Sequence, residues 1–330
     1  MCAARPADVY SLVADIGGTN TRVALAEGPR LLPETIRRFR NADYAGLETV
    51  LRAYVEAEDG VDCRAASVAI AGPVRDGRGT LTNLDWTIDE ATLARATQAE
   101  TVAVLNDLQA QGHALGRIAP ENLREVVAGA AAPDDATQLV IGIGTGFNVA
   151  PVHYSGTARN VAPSESGHAN LPIRTEAELR LCKFVETAHG FPAVEDVLSG
   201  RGLERLYAWL GHEAGDPREA TAAEIMAARD AGEGRAVEAA RVFVRMLGTV
   251  AGNQALVHLP FGGIFLAGGV ARAFAPHLAT YGFSDAFRDK GRFAGFMSNF
   301  PVHVIEDDYA ALTGSAAHLA RLTAEAQGTR

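Results

Sequence analysis

Cysteine and lysine are scarce in this chain. Its 330 residues hold 3 cysteines, Cys2, Cys63 and Cys182, with no CxxC pair. That excludes a disulfide framework and a zinc knuckle, and a reduced, cytoplasmic setting is expected. Lys183 and Lys290 are the only lysines, and no GxxxxGK[ST] pattern occurs. The lysine that cradles phosphates in P-loop enzymes is therefore missing. No apolar run reaches the ~18 residues that span a membrane. The apolar run near the start is broken by Asp15, so no secretory signal is expected. The 9 histidines lack HExxH and HxxEH spacing, and no GxSxG elbow is present; a zinc hydrolase and a serine hydrolase are disfavoured. Positive charge is short too. The net charge of −10 argues against a nucleic-acid or anionic membrane partner. It leaves room for a small anion, which backbone N–H groups bind locally.

Glycine, by contrast, is plentiful. The 34 glycines exceed the usual share of about 7%, and glycine serves where the backbone needs positive φ or must approach a ligand closely. Several glycines cluster in two turns. Residues 9–26 read VYSLVADIGGTNTRVALA, two β-type runs around a Gly-Gly-Thr-Asn turn. Residues 138–152 read QLVIGIGTGFNVAPV, with the same strand, Gly/Thr turn, strand order. Both are hairpin signals. They suggest two domains that open alike, with a tight boundary near residues 116–122.

Between and after these turns, strands alternate with helices. Residues 65–71, 80–84, 100–105, 262–267 and 302–306 read as strands. Residues 44–58, 89–96, 108–116, 176–189, 194–198, 202–211, 221–231, 234–259 and 310–325 carry helical spacing. The fold class is α/β.

Several residues carry candidate chemistry. Asp15, ending the first apolar run beside Gly17, Gly18 and Thr19, puts a carboxylate next to a possible anion nest. A carboxylate beside a phosphate calls for a divalent cation, and Mg²⁺ takes this mixture of ligands. The plainer alternative is a tight hairpin with turn chemistry. Gly144, Thr145 and Gly146 repeat the arrangement without the carboxylate. Asn106 and Asp107 follow an apolar strand and precede a helix; Asp107 suits proton acceptance from a hydroxyl, and an N-cap is the alternative. Glu165 and His168 lie in Ser164-Glu-Ser-Gly-His168, which suits the hydroxyls of a polyol or, more plainly, a surface loop. Glu195 alone reads as a solvated helix face. Cys182 sits among Leu179, Leu181 and Phe184 and reads as core.

Taken in order, Asp15-Ile-Gly-Gly-Thr-Asn20, Leu105-Asn-Asp107, Gly144-Thr-Gly146, Glu165-Ser-Gly-His168, Leu198-Ser-Gly-Arg-Gly-Leu203, Leu266-Ala-Gly-Gly-Val270 and Lys290-Gly-Arg-Phe293 closely resemble the bacterial ATP-dependent glucokinases. That family lies within the actin-like, hexokinase-type ATPase superfamily, and the resemblance runs from about Leu12 to Leu319. It implies a two-domain actin-like (ribonuclease H-like) ATPase fold with an interdomain cleft: a small α/β domain of residues 1–117 plus 309–330 and a large one of 118–308. It also implies a homodimer.

By this resemblance Asp107 is the general base for the 6-hydroxyl of glucose, and Asn106, Glu165, His168 and Glu195 are further sugar ligands. Asp15 orients Mg²⁺-ATP through water. Gly17, Gly18, Thr19 and Asn20 form the first phosphate loop, and Gly144, Thr145 and Gly146 the second. Gly268 and Gly269 contact adenosine. Phe147-Asn148, Ser166 and Ala169-Asn170 depart from the family's usual residues close to these loops. Besides glucose 6-phosphate formation, two alternatives stay open: a kinase for mannose, fructose or an amino sugar, and a silent sugar-sensing protein. The presence of Asp107 and Asp15 speaks against the second.

Overall fold

The computed structural model describes residues 10–81, 86–156 and 158–328. Cys2, most of the opening segment and residues 82–84 of the expected strand lie outside the described residues. Along the chain run β1 (Tyr10–Ile16), β2 (Asn20–Glu27), β3 (Arg30–Leu31), β4 (Arg37–Arg40), α1 (Leu47–Ala57), β5 (Cys63–Ile70), β6 (Val74–Arg75), β7 (Arg78–Thr80), β8 (Thr87–Asp89), α2 (Glu90–Thr97), β9 (Thr101–Asn106) and α3 (Asp107–Ala114). There follow β10 (Leu123–Val127), β11 (Gln138–Ile143), β12 (Phe147–Ser155), β13 (Ala158–Val161), α4 (Glu176–His189), α5 (Gly200–Glu213), α6 (Ala222–Asp230), α7 (Gly234–His258), β14 (Ile264–Ala267), α8 (Gly269–Phe274), α9 (Phe283–Arg288), β15 (Val302–Ile305) and α10 (Ala310–Gly328).

Two units are formed, Met1–Ala119 with Asp307–Arg330, and Pro120–Glu306. In the first, the sheet order is β3-β2-β1-β5-β9, with β4 also paired to β2. β1 runs antiparallel to β2 and parallel to β5, and β5 is parallel to β9. Alternation along β1 sends its side chains to two cores. Leu12, Ala14 and Ile16 pack with Val50, Leu51 and Tyr54 of α1. Val13 packs instead with Leu312, Ala316 and Leu319 of α10. Covering both faces suits parallel strands, which are apolar on both sides. Burying each such leucine contributes about 1.5–3 kcal/mol. α10 also reaches α3, where Ala110 packs with Ala311, Leu105 and Ala69, so the helix that starts at Asp107 is held from behind.

The second unit repeats the plan in the order β10-β15-β14-β11-β12-β13. β11 is antiparallel to β12 and parallel to β14, and β14 is parallel to β15. The two hairpins β1–β2 and β11–β12 therefore occupy equivalent places in their sheets. α7 buries Ala236, Ala240, Phe243, Leu247, Val250 and Ala251 at helical spacing. Phe243 stacks on Phe274 of α8 with ring centroids 4.5 Å apart.

Some sequence expectations need correction. Residues 194–198 form one 3₁₀ turn, Val194–Asp196, rather than a helix. The Asp196 carboxylate accepts from the Ala193 N–H and pairs with Arg205, which ends the turn. Ser199 then caps α5 by accepting from the Gly202 N–H. The strand expected over 80–84 instead ends at Thr80, having begun at Arg78. β10, Leu123–Val127, follows directly on the expected boundary, at a stretch for which the sequence reading gives no element. Cys63 and Cys182 are free and buried, and burial pushes the Cys63 thiol up to about 12.

Candidate active site

In the first unit, the end of β9 delivers Asn106 and Asp107 to the start of α3. Asn106 is its N-cap: its Oδ1 accepts from the Leu108 N–H at 3.0 Å, and its Nδ2 donates to the Gly72 carbonyl at 2.9 Å. Asp107 Oδ1 shares the same Leu108 N–H, at 2.9 Å. Its own N–H and the Asn106 side chain also hydrogen-bond to this carboxyl. Burial and the nearby Asp15 carboxylate push the Asp107 carboxyl up to about 7, against the N–H groups that favour its ionised form. Asn106 therefore caps, as one alternative held, while the Asp107 carboxyl shares the same helix start.

Asp15 lies on β1, three strands' width of sheet being shared with β5 and β9. Burial raises its carboxyl above the usual range, opposed by Arg22 at 3.3 Å. Beyond it Gly17 N donates to the Asn20 carbonyl at 3.0 Å. Gly18 and Thr19 are exposed, and their N–H groups have no partner among the described residues. Neither Gly17 nor Gly18 takes positive φ, nor do Gly144 and Gly146. The turn thus leaves exposed N–H groups in an open hairpin without left-handed backbone.

Sequence reasoning missed Asn41, which buckles this turn. Its Nδ2 donates to the Gly17 carbonyl at 2.8 Å, its N–H to the Thr19 carbonyl at 2.9 Å, and its Oδ1 accepts from Thr21 Oγ1 at 2.8 Å. Asn41 is 2% exposed. Nothing in the local sequence marks it, because its partners are about twenty residues away.

In the second unit, three segments are knitted together. The turn at Gly144, Thr145 and Gly146 joins β11 to β12. The Glu195 Oε2 accepts from the Phe147 N–H at 3.0 Å, and a Cβ on Gly146 would stand 2.4 Å from that same oxygen. Glu195 is therefore not on a solvated helix face, as its sequence alone implies; it is held against the second turn. Gly167 lies flush on the Phe147 carbonyl, where a Cβ would come within 1.9 Å. The 3₁₀ turn Ser166–His168 is thereby fixed beside the hairpin, with Glu165 and His168 exposed. A bridge between Asn170 and Ala193, and a bond from the Val194 N–H to the Ala169 carbonyl at 2.9 Å, bring in the Glu195 turn. Glu165, His168, Glu195 and the second glycine turn thus share one region.

That region continues into α5 and α8. The Gly200 N–H donates to the Gly144 carbonyl at 2.9 Å. Gly268, with φ of 100°, precedes α8. An apolar cavity of about 290 Å³ adjoins, lined by Gly200, Leu203, Met226, Gly269, Val270 and Phe274. Among the described residues no group of three or more His, Cys, Asp or Glu could hold a metal, and no helix is long and apolar enough to cross a membrane.

Two like-built units, each containing a hairpin that carries a Gly/Thr turn, define the class: an α/β protein of the actin-like ATPase fold. The chain belongs to the glucokinase family, whose model matches residues 12–322. It is 33% identical over 308 residues to the glucokinase of Sinorhizobium medicae, covering 93% of this chain and 91% of that protein. A glucokinase crystal structure from an Antarctic psychrotroph superposes with a TM-score of 0.85 at 29% identity, covering 95% of this chain and 99% of that one. A ROK family glucokinase from Streptomyces griseus, in complex with glucose and AMPPNP, shares the fold with a TM-score of 0.63 at 22% identity, covering 95% of this chain and 99% of that one.

Proposed function

We propose that this chain transfers the γ-phosphoryl group of ATP to the 6-hydroxyl of glucose, giving glucose 6-phosphate and ADP. The observation that carries the reading is the Asp107 carboxyl, set at the junction of β9 and α3 and raised to about 7, where a general base works best near neutral pH. Its oxygen takes the hydroxyl proton as the sugar oxygen bonds to the γ-phosphorus and the bond to ADP breaks. Phosphoryl transfer asks mainly for positioning and charge stabilisation, which suits a site with no covalent nucleophile. Family membership and the S. griseus relative, crystallised with glucose and an ATP analogue, support both substrates.

In this reading Asn106, Glu165, His168 and Glu195 hold the sugar, since carboxylates accept from several hydroxyls at once. The turn residues Gly17, Gly18, Thr19 and Asn20, and Gly144, Thr145 and Gly146, bind phosphate. Gly268 and Gly269 flank the apolar cavity, which suits an adenine ring. Asp15 fits Mg²⁺ brought in with the nucleotide, because its raised carboxyl and its repulsion with Asp107 would both be relieved by a cation. The ion would neutralise charge on the β- and γ-phosphates. The reading extends to domains of residues 1–117 plus 309–330 and 118–308, and to a cytoplasmic homodimer without nucleic acid. The buried thiols and acidic balance support the setting, and the family resemblance supports the dimer.

The test is ADP release over a panel of glucose, mannose, fructose and amino sugars. Glucose is expected to give the highest kcat/KM. A panel in which no sugar stimulates ATP turnover overturns the reading; a different best sugar reassigns the acceptor.

A further inference from the structure

We infer that Asn148 is the positioning residue that sets the Glu165 carboxylate for the sugar, so that it controls sugar affinity rather than phosphoryl transfer. The inference rests on the reading of Glu165 as a sugar ligand. Asn148 stands on β12, paired with Gly142 across the hairpin and two residues past Gly146. Its side chain crosses to the Ser164–Ser166 loop. Oδ1 accepts from the Ser166 N–H at 3.1 Å and from the Val149 N–H at 2.8 Å. Nδ2 donates to the Ser164 carbonyl and, at 3.3 Å, to Glu165 Oε2. These partners fix which end of the amide is which: an N–H needs the oxygen and a carbonyl needs the nitrogen.

One carboxamide thus spans the strand leaving the second glycine turn and the loop carrying Glu165. Ser164 reinforces the junction by donating from Oγ to the Val149 carbonyl at 2.7 Å. Glu165 is exposed, and an exposed glutamate otherwise samples several rotamers. Holding its carboxylate before the sugar arrives removes an ordering cost from binding. Asn148 has no hydrogen bond to the Gly144–Gly146 turn, so loss of the amide should leave nucleotide affinity in place.

The test compares Asn148→Ala, Asn148→Asp and Glu165→Gln with the unaltered full chain. Glucose affinity is measured by calorimetry, and KM for each substrate and kcat by ADP release. Asn148→Ala is expected to weaken glucose binding about tenfold or more, as loss of a hydrogen bond to a charged group does. KM for ATP should stay within about twofold and kcat within about threefold. Asn148→Asp keeps the acceptor for the Ser166 N–H but sets a carboxylate against Glu165. It should weaken glucose at least as much as Asn148→Ala, whereas a merely structural role would make it the milder change. Wild-type glucose affinity in both variants, or equal losses for glucose and ATP, overturns the inference while a weakened Glu165→Gln leaves the sugar-ligand reading standing. Unchanged glucose affinity in Glu165→Gln takes down both.

Discussion

Replacing Asp107 by asparagine is expected to lower kcat about 10²–10⁴-fold, the usual contribution of a positioned general base. Asparagine keeps the shape of the side chain and an oxygen for the Leu108 N–H, so α3 should start where it does now. KM for glucose and ATP should move little, and kcat and kcat/KM should fall together, the signature of an interaction made in the transition state. The same variant should be more stable than the parent at neutral and alkaline pH. The folded Asp107 carboxyl sits at about 7, well above the unfolded value of about 3.9. Its contribution to stability is therefore lost as pH rises between these two values, and the variant escapes that loss. Thermal unfolding at acid and alkaline pH, beside steady-state rates, checks both halves. An active variant, or an inactive one that has also lost stability, contradicts the role assigned to Asp107.

Gly167→Ala is expected to have the second largest effect. Its Cβ would come within 1.9 Å of the Phe147 carbonyl oxygen, a backbone atom that cannot swing aside. The loop bearing Glu165 and His168 must then lift off the hairpin that bears the second glycine turn. Overpacking of this kind typically costs about 1–3 kcal/mol, and glucose affinity should fall by about tenfold or more as the proposed sugar ligands are displaced. Gly144→Ala supplies the contrast for stability, since nothing lies within 4 Å of a Cβ there; its unfolding free energy should change by no more than about 0.5 kcal/mol. Denaturant unfolding and glucose calorimetry read the pair. Equal stability for the two variants would show that the loop and hairpin are not packed as described.

Much of this was legible in the sequence, for identifiable reasons. The two hairpin turns stand out because glycine and threonine interrupt apolar β-type runs, a local signal. Asp107 was visible because an Asn-Asp pair ends a strand and opens a helix. The helices α4, α5, α6, α7 and α10 follow apolar spacing closely. Contacts between distant residues were not legible. Glu195 reads as a surface residue because its acceptor role depends on the Phe147 N–H, 48 positions away. Asn41 is invisible for the same reason, its side chain answering to Gly17 and Thr21. At Gly146 and Gly167 the requirement is lack of room for a side chain, which no local pattern announces. The short strands β3, β6, β7 and β8 carry too few residues for a period of two to register.

The two carboxylates of the first unit are the core of the proposal, because burial and then the Asp15 charge raise Asp107, and Asp15 suits the nucleotide's cation. Their coupling can be read in the pH dependence of kcat/KM for glucose, which reports the ionisation of the free enzyme. For the unaltered chain, kcat/KM should be level in mild alkali and fall about tenfold per pH unit below a midpoint near 7. In Asp15→Asn the absolute rate should drop, and the midpoint should move to lower pH, because the neighbouring negative charge that raises Asp107 is gone. A flat profile through neutrality would contradict Asp107 as the base, and a midpoint that stays in place when Asp15 loses its charge would contradict their coupling.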